Sequence, residues 1–364
     1  MLYQTSNPHG GDIYSDEIRL DFSSSINPLG TPPAVLQALR DAVPLSIHYP
    51  DPYCRKAAAA ISTYEGVPEG SILLGNGAAE LIYAFCSAAA PRKALIPVPA
   101  FSEYESALRN CGSEVLYHQL LPEKDFLPDE TFLQAIRDRK PDAVFLCHPN
   151  NPTGRLIPQE LLDEIISLCE FSGIRLFLDA CFLELTGTAA DLNSRLAGNF
   201  RLFILKALTK SFGLPGVRVG YGLTADHEML FRMGRSVQPW NVSVFAQAAV
   251  PAALQETAFL AEAVRLIKIE REYLTDALTA LGFSVCPSDA NFILFRGPEG
   301  LDTALREQGI AIRNCGNFPG LGPGWYRSSV RIHEENEALI SAIIKLGFRV
   351  QSSENREQEQ ATNH

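Results

Sequence analysis

Leu205-Lys206-Ala207-Leu208-Thr209-Lys210-Ser211-Phe212-Gly213-Leu214-Pro215-Gly216-Val217-Arg218-Val219-Gly220-Tyr221 decides the fold. An apolar, strand-like run, Leu202 to Leu205, leads into Lys210, and the segment beyond is punctuated by Gly213, Pro215 and Gly216. A lysine held between packed elements is partly desolvated, which lowers its pKa and frees an amine for Schiff-base chemistry. Eight residues on, Arg218 offers a guanidinium suited to bidentate phosphate binding. Most lysines beside glycine-rich turns are simply solvated, so the rest of the chain has to support this reading.

The bulk properties narrow the field. With 364 residues, the chain can bury a large core and is expected to form one large domain and a smaller one. It is 46% hydrophobic and 20% charged, as ordinary globular proteins are. A net charge of -11 argues against a general nucleic-acid binder, though local arginines still permit an anionic substrate. The cysteines (54, 86, 111, 147, 169, 181, 286 and 315) show neither CxxC pairing nor metal-ligand spacing, so no metal is expected. Several lie in apolar runs, as buried free thiols do in a reducing compartment. With no signal-peptide pattern and no apolar run of membrane-spanning length, the expectation is a soluble cytoplasmic protein.

From about residue 55 to 235, helical periodicity alternates with short apolar runs, which predicts an α/β fold with a parallel sheet. The strand candidates are 71–74, 94–98, 114–118, 143–147, 175–179, 202–205 and 217–223. In such sheets ligands bind beyond the carboxyl ends of the strands, so the residues following each strand are the informative ones. Gly75-Asn76-Gly77-Ala78 opens a helix whose N-terminus suits a phosphate. Pro99-Ala100-Phe101 presents an aromatic ring able to stack on a flat ligand. His148-Pro149-Asn150-Asn151-Pro152 projects an amide from a rigid loop. Asp179 ends an apolar strand and requires a protonated partner. Thr209-Lys210 ends the next one. Together these are a phosphate cradle, a stacking ring, an amide, a carboxylate and an amine, the groups a pyridoxal phosphate site requires.

In this order the motifs resemble those of the fold-type I pyridoxal-phosphate enzymes, the aminotransferase superfamily, from Asn7 to about residue 350. The resemblance implies a large domain with a mostly parallel seven-stranded sheet and a smaller α+β domain. Residues 1–45 would form an N-terminal arm and part of the small domain, and 46–240 the cofactor-binding domain. Residues 241–350 would form an interdomain helix and the small C-terminal domain, with 351–364 a disordered tail. The implied cofactor is pyridoxal 5'-phosphate. Lys210 would carry it, Asp179 would pair with its ring nitrogen, Asn151 would bond its 3-hydroxyl and Phe101 would stack on the ring. Gly77, Ala78, Thr209 and Arg218 would hold the phosphate, with Tyr49 reaching in from the second subunit of a homodimer.

Two departures qualify the match. Members usually carry Ser or Thr three residues before the lysine; here Ala207 leaves a phosphate hydrogen bond to another donor, such as Lys206 or a water. Members also usually have Tyr three residues after the ring aspartate, where this chain has Phe182, which cannot donate a hydrogen bond. Phe182 does fit the threonine-phosphate decarboxylase branch, which is akin to histidinol-phosphate aminotransferase. His9-Gly10-Gly11, Asp21 to Gly30, Gln238 to Ser243, and Ile312-Arg313 through Arg327 to Arg331 resemble that branch as well. By that resemblance Arg327 would bind the substrate's acid group and Arg313 and His9 its phosphate, with Gly10 and Asn151 beside them. The activity implied is decarboxylation of L-threonine O-3-phosphate; L-serine O-phosphate and a histidinol-phosphate-type transamination are the alternatives. In the C-terminal half, 251–281 contains a long helical segment, with apolar positions at Leu254, Phe259, Val264, Ile267 and Leu274, and 283–286 and 291–295 read as short strands.

Overall fold

The computed structural model describes residues 9–188 and 191–348. Thirteen strands are present among these: β1 Leu20–Asp21, β2 Ile72–Gly75, β3 Lys93–Val98, β4 Glu114–Gln119, β5 Ala143–Cys147, β6 Arg175–Asp179 and β7 Leu202–Ala207, then β8 Gly220–Leu223, β9 Ser284–Val285, β10 Phe292–Arg296, β11 Ile310–Ala311, β12 Arg313–Asn314 and β13 Trp325–Ser329. Seven of them form one sheet in the order β2-β8-β7-β6-β5-β3-β4, parallel except for β8, which runs antiparallel to both neighbours. Its central strands are apolar runs without alternation, as strands covered on both faces must be. Every residue of β5 is buried, and Leu176 to Asp179 of β6 are too. One face packs Phe85, Phe145, Phe177 and Phe203 together; the other packs Leu146, Leu176, Leu178 and Ile204 against flanking helices.

Four helices near the site are α1 Pro33–Ala42, α2 Arg55–Glu65, α3 Gly77–Ala89 and α4 Ser102–Asn110. A second sheet, in the order β12-β13-β10-β9, is antiparallel, and the short arm strand β1 pairs in parallel with β11. Among the described residues no helix is long and apolar enough to cross a membrane.

Two sequence expectations need correction. The strand expected from 217 starts only at Gly220, because Arg218 has φ +61°, a left-handed conformation that no strand accommodates. Two helices cover the next region, Val244–Leu254 and Thr257–Ala280; the second is the long segment expected within 251–281, and Leu254, expected in it, ends the first. Ser243 caps the first by accepting from Ala246 N–H, so that helix starts seven residues before Pro251 and holds the proline inside. Its ring removes one backbone donor, and the helix ends within a turn of it. The tail over 351–364 and residues 7–8 of the N-terminal motif lie outside the described residues.

Candidate active site

Parallel strands β3, β5, β6 and β7 deliver their carboxyl ends to one side of the sheet. There a cavity of about 420 Å³ opens, lined among others by His9, Gly10, Ala78, Phe101, Asn151, Asp179, Thr209, Lys210, Arg218, Arg313 and Arg327. Of the residues expected from sequence, Gly77 lies just beneath this lining and Tyr49 lies away from it. Tyr49 is 78% exposed and stacks on Trp240 with ring centroids 4.5 Å apart.

Lys210 sits in the single helical turn Leu208–Ser211 that follows β7. Its ammonium lies 5.6 Å from the centre of the Phe182 ring, and no ion pair holds it among the described residues. Burial, reinforced by the neighbouring Arg327 charge, lowers its pKa to about 8. Such an amine is available as a nucleophile and as an acid or base near neutral pH.

Asp179 is buried at the end of β6, and burial raises its carboxyl above the ordinary range. Hydrogen bonds from Cys181 and Tyr104 and the Lys210 charge work against that shift. Tyr104 donates its hydroxyl to Oδ2 at 2.6 Å, and the Cys181 N–H donates to Oδ1 at 2.9 Å. The sequence supplied Asp179 but not Tyr104, which lies one helical turn after Phe101 on α4. The spacing was a signal that both face the same side.

At the start of α3, Gly77 adopts φ +78°, and a Cβ there would stand 2.5 Å from Nη2 of Arg218. Only glycine lets the guanidinium lie this close to the helix N-terminus. The Asn76 side chain makes no cap there, and Glu80 Oε2 accepts only the Asn76 N–H at 2.6 Å, so the N–H groups from Gly77 on and the guanidinium can together form an anion cradle. Thr209 is beside it in the cavity wall. Ala207 lines the cavity and brings no hydroxyl. Lys206 does not make up for it: strand alternation turns its side chain away, and its ammonium contacts both carboxylate oxygens of Glu65 at 2.8 and 2.7 Å. That expectation is overturned.

Across the cavity, Arg327 on β13 is buried, with its pKa lowered to about 10 chiefly by desolvation. Nη1 donates to Oδ1 of Asn151, and Nη2 donates to the Ser23 carbonyl at 3.0 Å. Nε is buried with no hydrogen-bond partner among the described residues. A carboxylate ligand would satisfy it, since guanidinium and carboxylate pair in a fork. Arg313 enters the cavity with its guanidinium 5.1 Å above the Phe318 ring and bonded to Asn317. Arg331 does not join them; it pairs with Glu335 at 2.8 Å. His9 bonds Glu103 at 2.8 Å, and sequence reasoning missed Glu103 entirely.

A dianion cradle at one end, an amine in the middle and a hydrogen-bonded carboxylate beneath fit pyridoxal phosphate. The Gly77 contact with Arg218, which leaves no room for a side chain, is the feature that speaks most directly for a phosphate.

The profile of the Aminotransferase class I and II family matches residues 17–343. Threonine-phosphate decarboxylase of Salmonella typhimurium is 34% identical over 350 residues, covering 93% of this chain and 96% of the relative. Histidinol-phosphate aminotransferase of Desulfitobacterium hafniense is 35% identical over 338 residues, 90% and 91% of the two chains. The crystal structure of histidinol-phosphate aminotransferase from Clostridium acetobutylicum superposes with a TM-score of 0.83 at 32% identity, covering 90% of this chain and 98% of that one. Identity of the same size to two kinds of enzyme places the chain in their common family without choosing between their reactions. The chain belongs to the class I and II aminotransferase family, a fold-type I enzyme whose cofactor is pyridoxal 5'-phosphate.

Proposed function

We propose that the chain decarboxylates L-threonine O-3-phosphate to (R)-1-amino-2-propanol O-2-phosphate, the linker precursor of the cobalamin nucleotide loop. The observation that carries this reading is a second pair of arginines, Arg327 and Arg313, which line the same cavity as the Arg218 cradle, together with His9. One anion site would serve the cofactor phosphate; the other would suit a substrate with both a carboxylate and a phosphate. Phe182 supports the decarboxylase reading, because it packs edge-on to Phe292 at 5.0 Å and offers no hydroxyl near Lys210.

When bound, pyridoxal phosphate supplies an electron sink for a bond broken at the substrate's Cα. Lys210 would hold it covalently, and Asn151 and Phe101 would hold its ring. Arg218, Thr209 and the first amides of α3, including Gly77 and Ala78, would hold its phosphate. Asp179, kept in place by Tyr104 and Cys181, would accept a hydrogen bond from the ring nitrogen and keep its proton there. Arg327 would take the substrate's acid group, and Arg313, with His9 and Gly10, its phosphate. That grip would set the Cα–carboxylate bond for cleavage: CO2 leaves, the electron pair remains at Cα, and the Lys210 ammonium returns one proton to Cα. One proton is therefore consumed per turnover. The exposed Ile47, Tyr49, Tyr53 and Trp240 support a homodimer in which Tyr49 completes the neighbouring site. A cytoplasmic location belongs to the same proposal.

The test mixes cofactor-loaded enzyme with L-threonine O-phosphate and no keto acid. Sustained CO2 and aminopropanol phosphate are expected. Turnover only with 2-oxoglutarate would make it an aminotransferase of the histidinol-phosphate kind, as the 35% relative suggests. Preference for L-serine O-phosphate would keep the chemistry and change the pocket, since one methyl discriminates weakly.

A further inference from the structure

We propose that Glu103 is a positioning residue for substrate binding: its carboxylate, itself held by Tyr83, grips His9 and fixes the N-terminal arm over the cavity. This rests on the reading above only in assigning His9 to the substrate's phosphate.

The geometry is a chain of three side chains from three parts of the sequence. Tyr83 on α3 donates its hydroxyl to Oε2 of Glu103 at 3.0 Å, and Nε2 of His9 lies 2.8 Å from Oε1. Each carboxylate oxygen therefore has its own donor. The His9 hydrogen bond, the leading influence, holds the Glu103 carboxyl below its ordinary range, so the group is ionised at neutral pH. An ionised carboxylate only accepts, so the proton between them resides on Nε2 of His9. That fixes which ring nitrogen faces Glu103 and leaves Nδ1 as the nitrogen turned away from it.

The arm beyond His9 lies close against Ser23. A Cβ at Gly10 would fall 2.5 Å from the Ser23 carbonyl oxygen, and the Gly11 N–H donates to the Ser23 hydroxyl at 2.7 Å. The same Ser23 carbonyl accepts from Arg327. The arm is thus pinned at Ser23 and at Glu103, and both pins are in the cavity wall. A bare carboxylate there would repel an anionic substrate. With both oxygens occupied, Glu103 acts through His9 instead of on the substrate.

The experiment uses the holoenzyme with Glu103→Ala, Glu103→Gln, His9→Ala and the double variant His9→Ala/Glu103→Ala. For Glu103→Ala the expected result is a KM about tenfold higher with kcat within about twofold. Glu103→Gln keeps one acceptor oxygen and should show a smaller rise. In the His9→Ala background, removing Glu103 should cost no more than about twofold, because its effect passes through the missing ring. Independently of any substrate, amide exchange at Gly11, whose N–H is bonded to Ser23, should quicken about tenfold in Glu103→Ala, as the arm loses the contact at Glu103. Unchanged exchange, an unchanged KM, or costs that multiply in the double variant would each overturn the proposal. Should wild-type enzyme fail to decarboxylate threonine phosphate, the function proposed above fails, while the exchange measurement still decides the role of Glu103.

Discussion

Replacing Lys206 by Met severs a buried ion pair a few residues from the reactive lysine, and its cost follows from the structure. Side-chain exposure is 13% for Lys206 and 3% for Glu65, with two contacts of 2.8 and 2.7 Å between them. Removing one member of such a pair typically costs about 3–5 kcal/mol, because the other charge stays buried. Glu65 keeps Tyr221 and Asn193 as donors, which puts the expectation at the lower end, about 3 kcal/mol. At about 2.1 cal/mol/K per residue over 364 residues, the unfolding entropy is about 0.8 kcal/mol/K, so Tm should drop by about 4 °C. Thermal denaturation of the apoprotein at neutral pH, followed by circular dichroism, measures this. Adding Glu65→Gln to Lys206→Met removes the stranded charge and should recover at least half of the loss. A single variant within about 1 °C of wild type, or a double variant less stable than the single, would show that the pair does not stabilise this strand as argued.

Two further predictions concern the site. In the apoprotein, Lys210 has a folded pKa of about 8 against 10.5 unfolded, so both states are protonated below about 8. Between about 8 and 10.5 the unfolded chain holds the proton more tightly, so the Lys210 contribution to stability improves as pH rises, by about 3 kcal/mol in total. Wild type and Lys210→Met should therefore differ in the slope of stability against pH in that window; parallel slopes would place the amine in water. Tyr104→Phe removes the 2.6 Å hydrogen bond to Asp179 and lets burial raise that carboxyl further, weakening it as partner of the ring nitrogen. Loss of a charge-assisted bond of about 1.5–3 kcal/mol predicts a kcat about tenfold lower or more with the fold intact; an unaltered kcat would remove Tyr104 from the site.

What the sequence disclosed follows the range of the physics involved. The strands β5 and β6 were legible to the residue, because an apolar run covered on both faces is a local signal. Lys210, Asp179, Asn151 and Phe101 were legible as strand-end residues and by resemblance, and the structure brings all four to one cavity. Partnerships were not legible. Tyr104 meets Asp179 across 75 positions and Lys206 meets Glu65 across 141, and nothing local in the sequence encodes either distance. Arg331 is a basic residue in the same segment as Arg313 and Arg327. Its acidic neighbour one turn on takes it out of the group. The long helical segment within 251–281 was legible from its periodicity; its start was not, because Leu254 belongs to a separate helix that Ser243 caps.

One strand, β7 with its following turn, carries two lysines four positions apart whose surroundings differ sharply. Lys206 is locked to Glu65, and Lys210, in the cavity, has no ion-pair partner among the described residues. An amine with a pKa of about 8 is roughly half neutral at that pH, about a hundredfold more than an ordinary lysine. A dilute amine-reactive label should therefore reach Lys210 of the apo chain before the surface lysines, alongside the α-amino terminus, whose ordinary pKa is also about 8. Bound cofactor would shield Lys210. Label located on Lys210 itself would then count vacant sites in any preparation, giving the loaded fraction by subtraction.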